Sequence, residues 1–175
     1  ASLYVGRDKG FDPVELLNVM AKEKITFTSL IPTHYAMILN VPEGLRKKYN
    51  VSSVQKLLCS SAPVRGHVKR GILKCFPSVE LYEAYGSTEA GLVTILRPED
   101  QLRKLGSIGR ECLGTDAIKL LDEKGNEVPV DEVGELYSRG PMMFDEYYKE
   151  PEKTKRCFRD DFFTAGDLVK RDEEG

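Results

Sequence analysis

The sequence predicts an α/β fold, a parallel sheet with covering helices followed by a small β-rich, barrel-like subdomain. Three observations carry that expectation. The first half alternates strand-like and helix-like stretches, the order that builds a parallel sheet packed by helices. The pattern changes near Pro98, beyond which glycines and short alternating runs dominate. The 175 residues are 41% hydrophobic and 31% charged, enough apolar material for a sizeable core and too much for a disordered chain. The expected organisation is an α/β part over residues 1–98 and a β-rich part over 99–175.

Ser2 to Val5 is a short apolar lead-in. Asp12-Pro13-Val14-Glu15 then opens a helix, with Asp12 as N-cap, Pro13 at the first helical position and Glu15 at capping-box spacing. Leu16, Leu17, Met20 and Ala21 recur at helical intervals. Ile25 to Ile31 is β-branched and aromatic, a strand stopped by Pro32, and a short helix follows around Thr33 to Leu39. Gln55 to Cys59 is the next strand. Beyond Ser60-Ser61-Ala62-Pro63, residues Val64, Val68, Ile72, Leu73 and Phe76 trace one apolar helix face. His67, Lys69 and Arg70 mark its solvated side, and Val79 to Ala84 returns as a strand.

In the second half Glu99 to Lys104 is a polar stretch. Asp116 to Leu121 and Glu127 to Val130 flank Glu123-Lys124-Gly125-Asn126, a hairpin turn. Gly134 to Ser138 adds a third strand, Tyr147 to Arg156 holds a helical turn around Pro151, and Phe162 to Val169 is extended.

Composition narrows the function classes. With Lys plus Arg at 26 against 28 for Asp plus Glu, the net charge is -2, which gives no global reason to bind nucleic acid or an acidic membrane. Cys59, Cys75, Cys112 and Cys157 lie far apart without a C-x-x-C pair, and His34 and His67 form no zinc-like pattern. His34 reads as a packing or surface residue. No apolar run approaches the roughly 20 residues of a membrane span. Without a signal-peptide layout at the N-terminus, the expectation is a soluble, reduced, cytoplasmic domain.

Three segments could carry chemistry. Tyr85-Gly86-Ser87-Thr88-Glu89 follows a predicted parallel strand, and ligands gather beyond the carboxyl ends of such strands. A glycine there permits close backbone approach, a threonine hydroxyl can donate to a phosphate oxygen, and Glu89 offers the hard oxygen that magnesium prefers. The alternative is a surface turn whose Thr and Glu face water. The loop Ser60-Ser61-Ala62-Pro63 leaves a second strand and could wall a flat heterocycle, with Tyr85 stacking on one face. It could equally be a serine-capped helix start. In Thr164-Ala165-Gly166-Asp167 the carboxylate can accept from both hydroxyls of a ribose, or it can be a commonplace turn.

The order of these pieces is more specific than any one of them. Ala62-Pro63, Tyr85-Gly86-Ser87-Thr88-Glu89, Gly134-Glu135-Leu136 with Arg139-Gly140-Pro141, and Gly166-Asp167 together resemble the adenylate-forming superfamily of acyl-CoA synthetases, luciferases and peptide-synthetase adenylation domains. Gly106-Ser107-Ile108-Gly109 and Tyr147-Tyr148 before Pro151 fit the same pattern. The resemblance implies that Ser61-Ala62-Pro63 and Glu83-Ala84-Tyr85 cradle adenine, with Gly86 and Ser87 completing the nucleotide loop. It further implies that Thr88 contacts the α-phosphate, Glu89 serves magnesium, and Asp167 binds ribose. The implied cosubstrates are ATP, a carboxylic acid and coenzyme A, with AMP and an acyl-CoA as products and Thr88 and Glu89 as catalytic residues.

Some positions depart from the pattern. Ser60-Ser61 stands where glycines are common, Asp161-Phe162 replaces a glycine and its aromatic, Ala165 replaces a threonine, and Glu146 replaces a glycine. A phosphate loop with its lysine has no counterpart here, and the chain stops in Asp172-Glu173-Glu174-Gly175. The expectation is the central part of an acyl-CoA synthetase, inactive as an isolated fragment. A peptide-synthetase adenylation domain and a non-catalytic nucleotide-binding module are the alternatives.

Overall fold

A computed structural model describes residues 10–175; the expected lead-in at Ser2 to Val5 lies outside them. The chain divides into two compact units, one ending at Leu81 and one comprising Tyr82–Gly175. The change in composition at Pro98 falls later, inside the second unit.

The first unit is α/β. Helix α1 (Pro13–Lys22) begins as its sequence dictates: Asp12 Oδ1 accepts from the backbone N–H groups of Val14 (2.8 Å) and Glu15 (3.1 Å), with Pro13 at the first helical position. Strand β1 (Phe27–Leu30) pairs in parallel with β2 (Lys56–Cys59), Phe27 opposite Lys56 and Leu30 opposite Cys59. Helix α2 (Pro32–Asn40) starts at the proline that stops β1, and α4 (Gly66–Cys75) packs against it. Between them in the chain lies the single turn α3 (Glu43–Arg46), whose length is too short for periodicity to register.

One contiguous apolar core holds this unit. Leu17 and Met20 of α1, Tyr35 and Ile38 of α2, Leu57 and Cys59 of β2, and Val68 and Ile72 of α4 are all buried in it. The stripe Val64, Val68, Ile72 and Phe76 is buried, as the helical spacing requires. Tyr35 donates its hydroxyl hydrogen bond to the Leu58 carbonyl at 3.0 Å; burial pushes that phenol's pKa well up, so it stays a donor. His34 stacks on Phe11 with ring centroids 4.0 Å apart, a packing role. Lys69 differs from expectation. It is 1% exposed and faces inward beside Val68 and Ile72, whereas His67 and Arg70 are exposed. All four cysteines are without a disulfide.

The second unit is built from short antiparallel pairings. Strand β3 (Glu80–Ser87) starts at the end of the first unit and pairs antiparallel with β4 (Gly91–Leu96), which pairs with β5 (Arg110–Glu111). A three-stranded antiparallel sheet has the order β10 (Leu168–Lys170), β7 (Val133–Tyr137), β6 (Lys119–Leu121). After the short helix α5 (Pro151–Arg156), β8 (Phe158–Arg159) and β9 (Phe162–Phe163) form a two-stranded ribbon. The strands of the described residues form a five-stranded, a three-stranded and a two-stranded sheet and no closed barrel, so the barrel-like expectation is corrected.

Details of this unit depart from the sequence reading for identifiable reasons. The turn at Glu123 to Asn126 is present, with Asp122 accepting from the Asn126 N–H through its carboxylate (2.8 Å) and from the Gly125 N–H through its carbonyl (2.9 Å). Glu127 to Val130 makes only a bridge between Glu127 and Leu121; the true partner of β6 is β7, because Pro129 cannot donate to a ladder. Phe162 to Val169 is broken by Thr164 to Asp167, where Gly166 takes φ 85°.

Candidate functional site

The segment Tyr85 to Glu89 is the end of strand β3 and the turn of its hairpin with β4. Tyr85, Gly86 and Ser87 are the last residues of β3, and Thr88, Glu89 and Ala90 turn the chain into β4. The register slips between Tyr85, opposite Thr94, and Gly86, opposite Leu92, leaving Val93 as the extra residue of a bulge. Gly86 is required by its own hairpin: a Cβ there would lie 2.0 Å from the Gly91 carbonyl oxygen. Ser87 Oγ accepts from the Ala90 N–H at 3.0 Å and holds the turn. Thr88 stands exposed at the tip.

The bulge aims Tyr85. Its ring packs against the small core of Val93, Leu120 and Leu136, and its hydroxyl donates to Asp167 Oδ2 at 2.6 Å. Burial, and then the Asp167 carboxylate, push the tyrosine pKa up. Asp167 itself is exposed, while its backbone carbonyl accepts from the Leu136 N–H at 2.9 Å. The preceding turn is fixed by buried Thr164, whose hydroxyl accepts from the Gly166 N–H (2.9 Å) and donates to Glu135 Oε1 (2.8 Å). Two of the motifs singled out in the sequence therefore meet, 82 positions apart, and a third, Gly134-Glu135-Leu136, supports the pair.

Glu89 has a second set of partners. The Tyr147 hydroxyl donates to Glu89 Oε1 at 2.8 Å, and the Phe144 N–H donates to the Glu89 carbonyl at 2.7 Å. The Tyr147 bond, with a smaller contribution from Lys153, holds the Glu89 carboxyl below its ordinary range. In return it pushes the Tyr147 phenol up to about 12. Tyr147 is anchored in turn: its N–H donates to Thr154 Oγ1 at 2.9 Å, and Lys153 lies 4.1 Å from its ring centroid. Phe144 packs on Tyr147, Phe158 and Phe163. A cavity of about 340 Å³ opens here, lined by Glu89, Glu135, Tyr147, Cys157, Thr164 and Gly166 among others.

Residue types in this arrangement suit a phosphorylated, hydroxylated ligand. Asp167 offers acceptors, Thr88 an exposed hydroxyl, and Glu89 an ionised carboxylate whose Oε2 is not the atom bonded by Tyr147. Glu89 fits as a ligand for a hard cation. No group of three or more ligating side chains gathers among the described residues, so further ligands would be phosphate or water oxygens, the habit of magnesium.

Other expected site residues are placed differently. Glu83 and Ala84 are 5% and 8% exposed, so their side chains are interior and a ligand could meet them only through β3 backbone. Ser61, Ala62 and Pro63 lie in the first unit, exposed after β2. Ser61 has φ 72°, the left-handed region that explains why glycine is common at this position in the resembling family. The serine-capped helix start is absent: α4 begins behind Arg65 with no side-chain cap.

Tyr147, Thr164 and Glu135 carry site geometry that sequence reasoning gave no role. All three lay within noted segments, but the hydrogen bonds from Tyr147 to Glu89 and from Thr164 to Glu135, across 58 and 29 positions, leave no local trace. A second hollow, about 440 Å³ and bordered by Leu96, Ile108, Leu136 and Arg171, contains none of the expected site residues.

Comparison with known proteins follows the same lines. The chain is 35% identical over 165 residues to a long-chain-fatty-acid–CoA ligase of Bacillus subtilis, covering 94% of this chain and 29% of that protein. It is 32% identical over 166 residues to a feruloyl-CoA synthase of Amycolatopsis sp, covering 94% and 33%. The amide bond synthetase McbA of Marinactinospora thermotolerans superposes with a TM-score of 0.87 at 25% identity, over 94% of this chain and 33% of that one. The chain thus spans about a third of the length of the relatives it matches. The model of the AMP-binding enzyme family matches residues 1–148, a stretch that includes the Tyr85 hairpin, Glu135 and Tyr147, and on this ground the chain belongs to the AMP-binding enzyme family.

Proposed function

We propose that this chain is the central part of an ATP-dependent carboxylate–CoA ligase, acting in the cytoplasm on a fatty or other organic acid. The observation that carries the reading is the 2.6 Å bond from Tyr85 to Asp167, which brings the hairpin and the Gly-Asp segment together. The relatives named above act on long-chain fatty acids and on ferulate by their names, so a carboxylate–CoA ligase is favoured and the identity of the acid is left to experiment.

In this reading the acid's carboxylate attacks the α-phosphorus of ATP, pyrophosphate leaves, and the thiol of coenzyme A then displaces AMP from the acyl-adenylate. Tyr85 stacks on adenine at the edge of β3, with Gly86 and Ser87 completing the nucleotide surface. Asp167 accepts from the ribose. Thr88, exposed at the hairpin tip, donates to the α-phosphate, where negative charge must be met by fixed donors. Glu89 holds magnesium, which neutralises phosphate charge when bound; Tyr147 keeps the Glu89 carboxylate ionised and oriented.

Exchange of pyrophosphate into ATP, assayed with the full-length parent across a panel of carboxylic acids, tests the reading. Acid-dependent exchange is expected, with a raised KM for ATP and a much less affected kcat in Asp167→Ala, the mark of lost uniform binding. Exchange with no acid in the panel, or an Asp167→Ala variant with the parent's KM, would overturn it. The isolated 175-residue chain, about a third of its relatives' length, is expected to make no acyl-CoA.

A further inference from the structure

We propose that the Tyr85 hydroxyl is a positioning group for Asp167, so that recognition of the ribose depends on a phenol that need not touch the ribose. The inference rests on the nucleotide role proposed above and assigns a separate task to an atom distinct from the stacking ring.

The two partners are held very differently. Tyr85 is anchored by its body: its ring lies against Val93, Leu120 and Leu136, and the register shift between Tyr85 and Gly86 fixes where β3 points it. Asp167 is anchored by its backbone alone, through the Leu136 N–H bond to its carbonyl, and its side chain is exposed. An exposed aspartate rotates freely about χ1 and χ2, and holding it in one orientation costs side-chain entropy each time a ligand binds. A 2.6 Å bond from an immobile phenol to Oδ2 removes that freedom in advance. It also divides the carboxylate. Oδ2 has given one acceptor site to Tyr85, whereas Oδ1 keeps both for ribose hydroxyls. Because burial raises the phenol's pKa, the donor persists through the alkaline range in which a free tyrosine ionises.

Ring and hydroxyl can be separated, because Tyr85→Phe keeps the packing and the stacking face and removes only the bond. In pyrophosphate exchange by the full-length parent, Tyr85→Phe should raise the KM for ATP roughly 3- to 30-fold and change kcat much less, the scale of one charge-assisted hydrogen bond acting at second hand. The preference for ATP over 2′-deoxy-ATP should shrink in parallel, which loss of packing would not cause. In an Asp167→Ala background the same change should alter KM less than about twofold, because the residue it orients is gone. A Tyr85→Phe enzyme with the parent's KM and the parent's preference overturns the proposal, as do effects of the two substitutions that simply multiply. If Asp167→Ala is itself silent, the nucleotide reading fails first, and the two failures are thereby distinguished.

Discussion

The two units are held together by different physics. In the first, Leu17, Met20, Tyr35, Ile38, Leu57, Ile72 and their neighbours form one continuous apolar core. The second has two small apolar clusters, around Leu136 and around Tyr137, and relies on polar bonds between distant segments: Tyr85 to Asp167, Tyr147 to Glu89, Thr164 to Glu135. At its far end Arg103 and Lys104 pair with Asp172 and Glu174. Apolar burial is non-directional and indifferent to pH and salt over a wide range, whereas charged and hydrogen-bonded ties are directional and titratable. The first unit thus supplies rigidity, and the second supplies side chains whose orientation and ionisation can be tuned, which is where the candidate chemistry collects.

The largest effect should come from the apolar side of this contrast. Leu57 is fully buried, and Leu57→Ala should cost about 2–5 kcal/mol through lost contacts and the cavity left behind. Hydrogen exchange of the full-length protein should show the loss in α1, α2 and α4 amides. Equal loss of protection throughout the second unit would show that the two units unfold as one and break the distinction.

Glu89→Gln probes the polar side. Glutamine retains an oxygen to accept from Tyr147 but carries no charge, so the hairpin should persist while adenylation slows by roughly 10- to 1000-fold. Pyrophosphate exchange and a thermal melt on the same preparation check both halves. Parent-like exchange would reduce Glu89 to a structural acceptor.

A smaller effect is expected for Tyr147→Phe. Tyr147 depresses the Glu89 pKa; without it the carboxyl should titrate nearer its ordinary range, about 4.3. The acidic limb of the exchange pH profile should accordingly move to higher pH. An unmoved limb would show that Glu89 owes its ionisation to something else.

The smallest effect concerns the charged cluster. The Arg103 and Lys104 bonds hold the exposed Glu174 carboxyl down at about 2. A depressed folded-state pKa gives stability that is present above the unfolded value and is lost as pH falls through the folded one. The thermal midpoint of the parent should therefore decline slightly between about pH 4 and pH 2 more than that of Glu174→Gln, and the difference should shrink in 1 M salt. Identical curves would remove this cluster from the account.

How far the sequence reached differs between the units for the same reason. The α1 cap at Asp12, the apolar stripe from Val64 to Phe76 and the parallel strands around Phe27 and Leu57 are local signals, written in spacing and residue type within a few positions. Lys69 escaped because its burial is decided by what packs over α4, not by its neighbours in the chain. In the second unit β4 was legible in principle, since Leu92 to Leu96 is β-branched and apolar, but the motif before it drew the reading toward a loop.

By itself the sequence determined the α/β beginning, the change to short β-structure, the family resemblance and the residue types available to a nucleotide: a tyrosine, a threonine, a glutamate and an aspartate in order. Only the tertiary structure decided that Tyr85 to Glu89 is a bulged hairpin, that Gly86 is there to clear the Gly91 carbonyl, and that Tyr85 bonds Asp167 while Tyr147 bonds Glu89. Helical periodicity and capping are set by interactions a few residues apart. Hydrogen bonds across 58 and 82 positions depend on how strand register and a bulge turn each side chain, and that information exists only once the chain has folded.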